Sequence, residues 1–266
     1  MKLFVSADIE GVAGIALIEE TRSGDAAYAR YARQMTDEVA AVCQAALDAG
    51  ADEVFVKDGH GAANNIDPFG LPDRVTLFRG KSGHPYNMMF GLDRSFDAAL
   101  FVGYHAPAGS AGSPLAHTST GNTRRILLNG APMSEFLLNA TTAAALGVPA
   151  IFLSGDRAIC ELAAQAAPGI ETVATKEGAG AGAAQYPRAR VMRELAEGAA
   201  RAVANIGRAA PLPLPARFEY LASYRDWKMA YRMSFYPGME RVDDDTLRLV
   251  SDDWMDIVTA HSFVVY

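Results

Sequence analysis

Short apolar runs alternate with longer amphipathic stretches through the first three quarters of the chain. Lys2 to Ala7 is a continuous apolar run of the kind that fills a buried strand. From Asp25 to Ala49 the residues Tyr28, Tyr31, Met35, Val39, Val42 and Ala46 recur at helical spacing and stop at Gly50, which predicts a β-α unit. Glu53-Val54-Phe55-Val56 reads as the next strand, and Val75 to Phe78, Ala98 to Val102, Ile126 to Leu128 and Ala150 to Leu153 continue the series. Glu135 to Leu146, Asp156 to Ala166 and Tyr186 to Ile206 read as helices. The alternation predicts an α/β fold, a largely parallel central sheet flanked by helices. Asn129-Gly130, directly after Ile126-Leu127-Leu128, predicts a tight hairpin.

At Ala209 to Pro215 the prolines of Ala-Ala-Pro-Leu-Pro-Leu-Pro end any helix, since each lacks an amide donor and clashes with the preceding turn. A boundary is expected there, between a core over 1–208 and a small C-terminal α+β appendage over 216–266. The appendage would be built from Arg217 to Leu221, Thr246 to Val250 and a helix from Asp252 to Val264.

Composition narrows the classes. With 266 residues, 50% of them hydrophobic and 21% charged, the chain can bury a real core and is no disordered polymer. The net charge of −7 and a pI near 5.3 supply no cationic surface for a phosphate backbone, so nucleic acid is not an expected partner. Cys43 and Cys160 lie in predicted helices without zinc or redox spacing and read as small buried hydrophobes. No apolar run reaches the ~18 residues of a spanning helix, and Asp8 and Glu10 interrupt any signal-peptide core. A cytoplasmic protein without membrane contact is expected.

The candidate chemistry sits where polar residues end the apolar strands. Positions i and i+2 of a strand share a face, so Asp8 and Glu10 can aim two carboxylates at one point. Asp58 and His60 repeat the device after the second strand, and His105 follows the strand ending in Val102-Gly103-Tyr104. All lie at carboxyl ends, outside which parallel sheets gather ligands. Glu135, beyond the Asn129-Gly130 turn, is a further candidate. Asp8, Glu10, His60, His105 and Glu135 form a mixed oxygen and nitrogen set that suits zinc, or manganese and cobalt, and its carboxylates suit a pair of divalent ions. The same spacing also fits acids that end a strand, loop histidines with ordinary partners, and a helix-capping Glu135.

His117 follows a loop of small residues that can bring it over the same crevice, where it could transfer protons or be an incidental loop histidine. Gly178-Ala-Gly-Ala-Gly-Ala-Ala raises a phosphate-cradling loop as a rival, though it lacks the full dinucleotide fingerprint and a flexible connector is the simpler reading. Asp156 reads as a helix N-cap. His84 and His261 suggest no site.

Taken in order, Asp8-Ile9-Glu10-Gly11, Asp58-Gly59-His60, Gly103-Tyr104-His105, His117-Thr118 and Asn129-Gly130 followed by Glu135 resemble the D-aminopeptidase family of binuclear zinc peptidases, whose best-known member belongs to a bacterial dipeptide-transport operon. The resemblance covers most of residues 1 to about 206. It implies two zinc ions per chain on Asp8, Glu10, His60, His105 and Glu135, with His117 as the active-site histidine; it does not say which ligand bridges the ions, and we expect Asp8 there. It also implies hydrolysis of the amino-terminal bond of short D-amino-acid peptides, and assembly into a decamer of paired five-membered rings around an internal chamber. Asp58 would meet the substrate's ammonium group. Two other readings are expected to be separable by assay. One is a binuclear metallohydrolase of another amide or a phosphoester; the other is a non-catalytic nucleotide or metabolite binder using the glycine-rich run.

Overall fold

A computed structural model describes residues 1–266. Its element order is β1 (Lys2–Ala7), α1 (Tyr28–Asp48), β2 (Glu53–Asp58), β3 (Val75–Phe78), β4 (Ala98–Tyr104), β5 (Thr123–Leu128), β6 (Ala131–Pro132), α2 (Glu135–Ala145), β7 (Ala150–Asp156), α3 (Arg157–Ala166), β8 (Glu171–Ala179) and β9 (Gly182–Gln185). It continues through α4 (Arg188–Ala204), β10 (Phe218–Tyr224), α5 (Trp227–Met233), β11 (Glu240–Arg241), β12 (Thr246–Ser251) and α6 (Trp254–Val264).

The main sheet runs β3-β2-β1-β4-β7-β8-β9, and every pairing in it is parallel except that of β8 with β9. Strands covered on both faces must be apolar throughout, and Leu3, Phe4 and Val5 of β1 are all fully buried. Leu3 and Val5 face α1 and α4, whose Met35, Val39, Val42, Val191 and Leu195 complete one core. Phe4 faces the other way, into a core shared with Phe136 of α2 and Ile159 of α3. The expected α/β architecture with a largely parallel sheet is present.

The second sheet, β11-β12-β10-β5-β6, is antiparallel. Along β10 the residues alternate strictly between buried and half-buried, the mark of a sheet covered on one face. Its apolar face packs under α6 and α5, with Leu138 of α2 beneath. Ile126 to Leu128 therefore belongs to this sheet and not to the parallel one. The Asn129-Gly130 hairpin is present, with φ of 50° and 80° at the two turn residues as a type I′ turn requires. The sheet draws strands from both sides of the proline-rich segment at 209–215, so the C-terminal strands complete a layer that the middle of the chain begins.

The Gly178–Ala184 run is neither a phosphate loop nor a flexible connector. Lys176 pairs with Gln185, Glu177 with Ala184 and Gly178 with Ala183, which makes it a hairpin on the edge of the main sheet. Gly178 is required there because a Cβ would lie 2.3 Å from the carbonyl oxygen of Gly112.

Candidate metal centre

The order of the parallel sheet reverses between β1 and β4, and the side chains of interest gather at the carboxyl ends of these two strands and of β2. After β1 the chain crosses the end of β4 at backbone contact. Asp8 N–H donates to Val102 O and Gly11 N–H to Gly103 O, both at 2.8 Å. Gly11 has no room for a side chain, since its Cβ would lie 1.8 Å from Tyr104 O, and Gly103 adopts φ +75° with its Cβ position 2.2 Å from Asp8 O. This close crossing brings Asp8 beside His105.

Asp8, Glu10, His105 and Glu135 are buried, and His60 and His117 are half-buried. His60 Nδ1 lies 3.3 Å from Asp8 Oδ1 and 3.1 Å from Glu10 Oε2. His105 Nε2 lies 3.4 Å from Asp8 Oδ2 and 3.5 Å from Glu135 Oε1. His117 stacks on His105 with ring centroids 4.3 Å apart, and its Nε2 is 3.7 Å from Glu135 Oε1. Asp8 thus faces both halves of the cluster. The set predicted from sequence converges in full, and the ligand atoms of Asp8, Glu10 and His105, and of His105, His117 and Glu135, form groups within 4.8 Å.

Two features test whether these residues suit metal ions. Asp8 Oδ2, Glu10 Oε2 and His105 Nε2 are buried with no hydrogen-bond partner, an arrangement that is unfavourable unless a cation completes it. Each histidine also donates one ring N–H to a backbone carbonyl. His60 Nε2 donates to Thr21 O at 3.0 Å, His105 Nδ1 to Ala106 O at 3.0 Å and His117 Nδ1 to Leu115 O at 2.8 Å. In the neutral ring the remaining nitrogen is then an acceptor aimed at the cluster, as in metal-ligating histidines. The residues fit zinc in donor type and orientation.

Without a cation the acids hold protons on the His60 and His105 rings. Burial pushes His105 down, but Asp8 and Glu135 outweigh it and raise the ring well above the usual histidine value. Burial likewise opposes charge on Asp8, and its contacts with His105 and His60 keep the carboxyl well below the usual range.

Glu135 opens α2, with Ser134 as N-cap accepting from Leu137 N–H at 3.0 Å. Its Oε1 accepts from Ser119 N–H at 2.7 Å. Ser119, at φ +63°, has its hydroxyl 2.8 Å from His261 Nε2, and His261 Nδ1 lies 3.0 Å from the Tyr220 hydroxyl. Burial drives the His261 ring down to about 4, so it is neutral. Asp156 caps α3 through Ile159 N–H and also accepts from Ala106 N–H at 2.8 Å, which fixes the chain beside His105.

Asp58 is the exception among the sequence candidates. β2 ends at this residue and the chain turns, so the i, i+2 relation with His60 is lost. Its buried carboxylate accepts from the N–H groups of Asn65 and Ile66 and from the Asn65 amide, shaping the loop beneath His60 and presenting nothing to a substrate.

Sequence reasoning missed Lys176. It is fully buried on β8, and its ammonium donates to the carbonyl oxygens of Glu10, Val12 and Ile15, the last two at 2.9 and 2.6 Å. Nearby Glu38, also buried, accepts from Ala13 N–H at 2.9 Å. Together they fix the loop that carries Glu10. Nothing local in either helix or strand marks them.

A sequence model of the D-aminopeptidase family matches residues 1–263. The chain belongs to the D-aminopeptidase family. It is 30% identical over 262 residues to a D-aminopeptidase of Bacillus subtilis, covering 98% of this chain and 95% of that one. It also superposes on a solved structure, the Zn-dependent D-aminopeptidase DppA from Bacillus subtilis, described as a self-compartmentalizing protease. The TM-score is 0.94 at 29% identity, over 99% of this chain and 96% of that chain. The likeness of this D-aminopeptidase family member to the solved structure thus extends through the second sheet, well past the proline-rich segment.

Proposed function

We propose that this protein is a zinc-dependent aminopeptidase that cleaves the amino-terminal bond of short peptides beginning with a D residue, using two metal ions per chain. The observation that carries the reading is the convergence of the unpartnered Asp8 Oδ2, Glu10 Oε2 and His105 Nε2 on one buried point. Asp8, Glu10 and His60 would hold one ion and His105 and Glu135 the other, with Asp8, in contact with both histidines, shared between them.

Bound there, the ions supply charge stabilisation for a tetrahedral transition state and a water acidic enough to attack a peptide carbonyl near neutral pH. The chain's own residues do the rest. His117, with Nδ1 committed to Leu115 O, offers Nε2 at the mouth of the cluster to take and return a proton. Glu135 Oε1, the oxygen that lies nearest His105 and His117, accepts from Ser119 N–H, which holds the carboxylate towards the cluster.

Elemental analysis of gently purified protein and parallel assays on D-Ala-D-Ala, L-Ala-L-Ala and an N-acetylated dipeptide test the reading. Zinc near two equivalents and preference for the D peptide with a free amine are expected. Metal-free active protein, or preference for the L or blocked compound, removes the assignment.

Assembly belongs to the same reading. Trp227, Phe235 and Phe263 are exposed, together with Leu17 and Phe69, more apolar surface than a lone chain presents without purpose. A homo-oligomer, and by the family resemblance a decamer, would cover it and enclose the active centres in a chamber that admits only small peptides. Analytical ultracentrifugation decides: a 28.3 kDa species refutes the assembly. The cytoplasm is the proposed compartment, supported by the buried unpaired thiols of Cys43 and Cys160. No helix is long and apolar enough to cross a membrane.

A further inference from the structure

The cleft above the centre, about 180 Å³, has Asp8, His60, His117 and Glu135 on its wall, and it shares that wall with Lys81, Asn87 and Tyr266. Lys81 is the one lysine or arginine on it. Its ammonium donates to Gly59 O at 3.1 Å and to Asn87 Oδ1 at 3.0 Å, which leaves its third N–H for another acceptor.

This lysine is held in place from several sides. Gly80 N–H donates to Ala63 O at 2.6 Å, and the buried Lys57 reaches from β2 to donate to Gly80 O at 3.0 Å. Asn87 adopts φ +45°, in the left-handed region that asparagine tolerates better than most residues. That conformation sets its amide between two neighbours: the oxygen accepts from Lys81, and the nitrogen donates to the Tyr266 hydroxyl at 3.1 Å. A braced cation with a spare donor therefore looks into a cleft whose floor is otherwise acidic.

A short peptide carries a positive charge at one end and a negative charge at the other. A dipeptide that places its amino-terminal bond at the metals has its carboxylate only a few atoms away, and Lys81 is the one side-chain cation on the cleft wall outside the centre that can receive it. We propose that Lys81, positioned by Asn87, binds the free carboxylate of the leaving amino acid and so makes the site selective for unblocked dipeptides. The inference rests on the aminopeptidase reading given above and adds the determinant of chain length to it. A longer peptide carries its carboxylate past Lys81, and an amidated dipeptide offers it no charge.

The test compares kcat/KM for D-Ala-D-Ala and for D-Ala-D-Ala amide in the zinc-loaded parent and in Lys81→Ala and Lys81→Arg. The parent is expected to prefer the free acid, and the acid-to-amide ratio to fall about 10–100-fold in Lys81→Ala, mainly through KM, as loss of a charge-assisted hydrogen bond predicts. Lys81→Arg should recover part of the ratio. Because the ratio is internal to each protein, a general loss of folded enzyme does not mimic the effect. A parent that cleaves both compounds equally well overturns the Lys81 assignment and leaves the aminopeptidase reading standing, as does an unchanged ratio in Lys81→Ala. A parent that cleaves neither removes the aminopeptidase reading, and this inference with it.

Discussion

Glu10 and Glu135 occupy opposite walls of one centre and are fixed by different means. Behind Glu10 lies a buried charge: the Lys176 ammonium collects the carbonyls of Glu10, Val12 and Ile15, and the Glu38 carboxylate takes the neighbouring Ala13 N–H. Behind Glu135 lies a neutral relay in which Ser119 N–H holds the carboxylate, His261 meets the Ser119 hydroxyl and Tyr220 meets the far side of the ring. The first wall belongs to the parallel sheet and its brace comes from β8. The second opens α2, and its brace comes from β10 and α6 of the antiparallel layer. A buried ion gives strong contacts at a large desolvation cost and is sensitive to pH, whereas a neutral chain is weaker and, above the range in which His261 titrates, indifferent to it.

The severest way to break the contrast is to remove a ligand that serves both walls. Asp8→Ala and His105→Ala should release zinc and abolish hydrolysis together, beyond the ~10–100-fold that loss of an outer partner costs. Metal content and turnover measured on the same samples check it, and full zinc with full activity in both variants removes the centre. His117→Ala should keep its zinc and lose about 10²–10⁴ in turnover. If it instead sheds metal as readily as His105→Ala, His117 is a ligand.

The braces themselves come next. Lys176→Met leaves three carbonyls of the Glu10 loop without their donor and should weaken zinc binding about 10–100-fold in a chelator competition, with Glu135 unaffected. Glu38 sharpens the electrostatic half of the comparison. Burial pushes its carboxyl up from 4.5 to about 7, so between these values the folded chain holds a proton that the unfolded chain has released. Stability contributed here therefore falls as pH rises from about 4.5 to 7, and stays low above that. Glu38→Gln, which keeps an oxygen for Ala13 N–H, should erase this fall and be more stable than the parent at pH 8 by about 1–3 kcal/mol, read from denaturant unfolding at several pH values. A parent whose stability is unchanged across that window contradicts the buried-charge picture. His261→Phe should have the smallest effect, about 1 kcal/mol of stability and a zinc affinity within about tenfold of the parent, with no pH dependence above 6.5.

The same contrast explains what could be read from the sequence. Asp8, Glu10, His60 and His105 stand out because each lies within a few residues of the end of an apolar run, and a strand's carboxyl end in a parallel sheet has a known destination. Asp58 followed the same rule and failed, because its carboxylate is consumed by the Asn65 and Ile66 amides. Ile126 to Leu128 is legible as a strand, but three apolar residues do not say which sheet they join; the half-covered pattern of β10 does, once β10 is seen to pair with β5. Lys176, Ser119 and His261 carry no local signal, since Lys176 meets a carbonyl 166 residues away and the Ser119–His261 contact spans 142 residues.

Such separations also bear on how the protein is made. Translation delivers Asp8 through Glu135 early, yet α2, on which Glu135 rides, packs its Leu138 into a layer that needs β10, β12 and α6. Until those last strands leave the ribosome, β5 and β6 form a lone hairpin, a unit of marginal stability in water, and His261 has not been synthesised to reach Ser119. A nascent chain can therefore shape the wall that follows β1 well before it can shape the other. The two walls of the centre would come into register only once α6 has joined the second sheet.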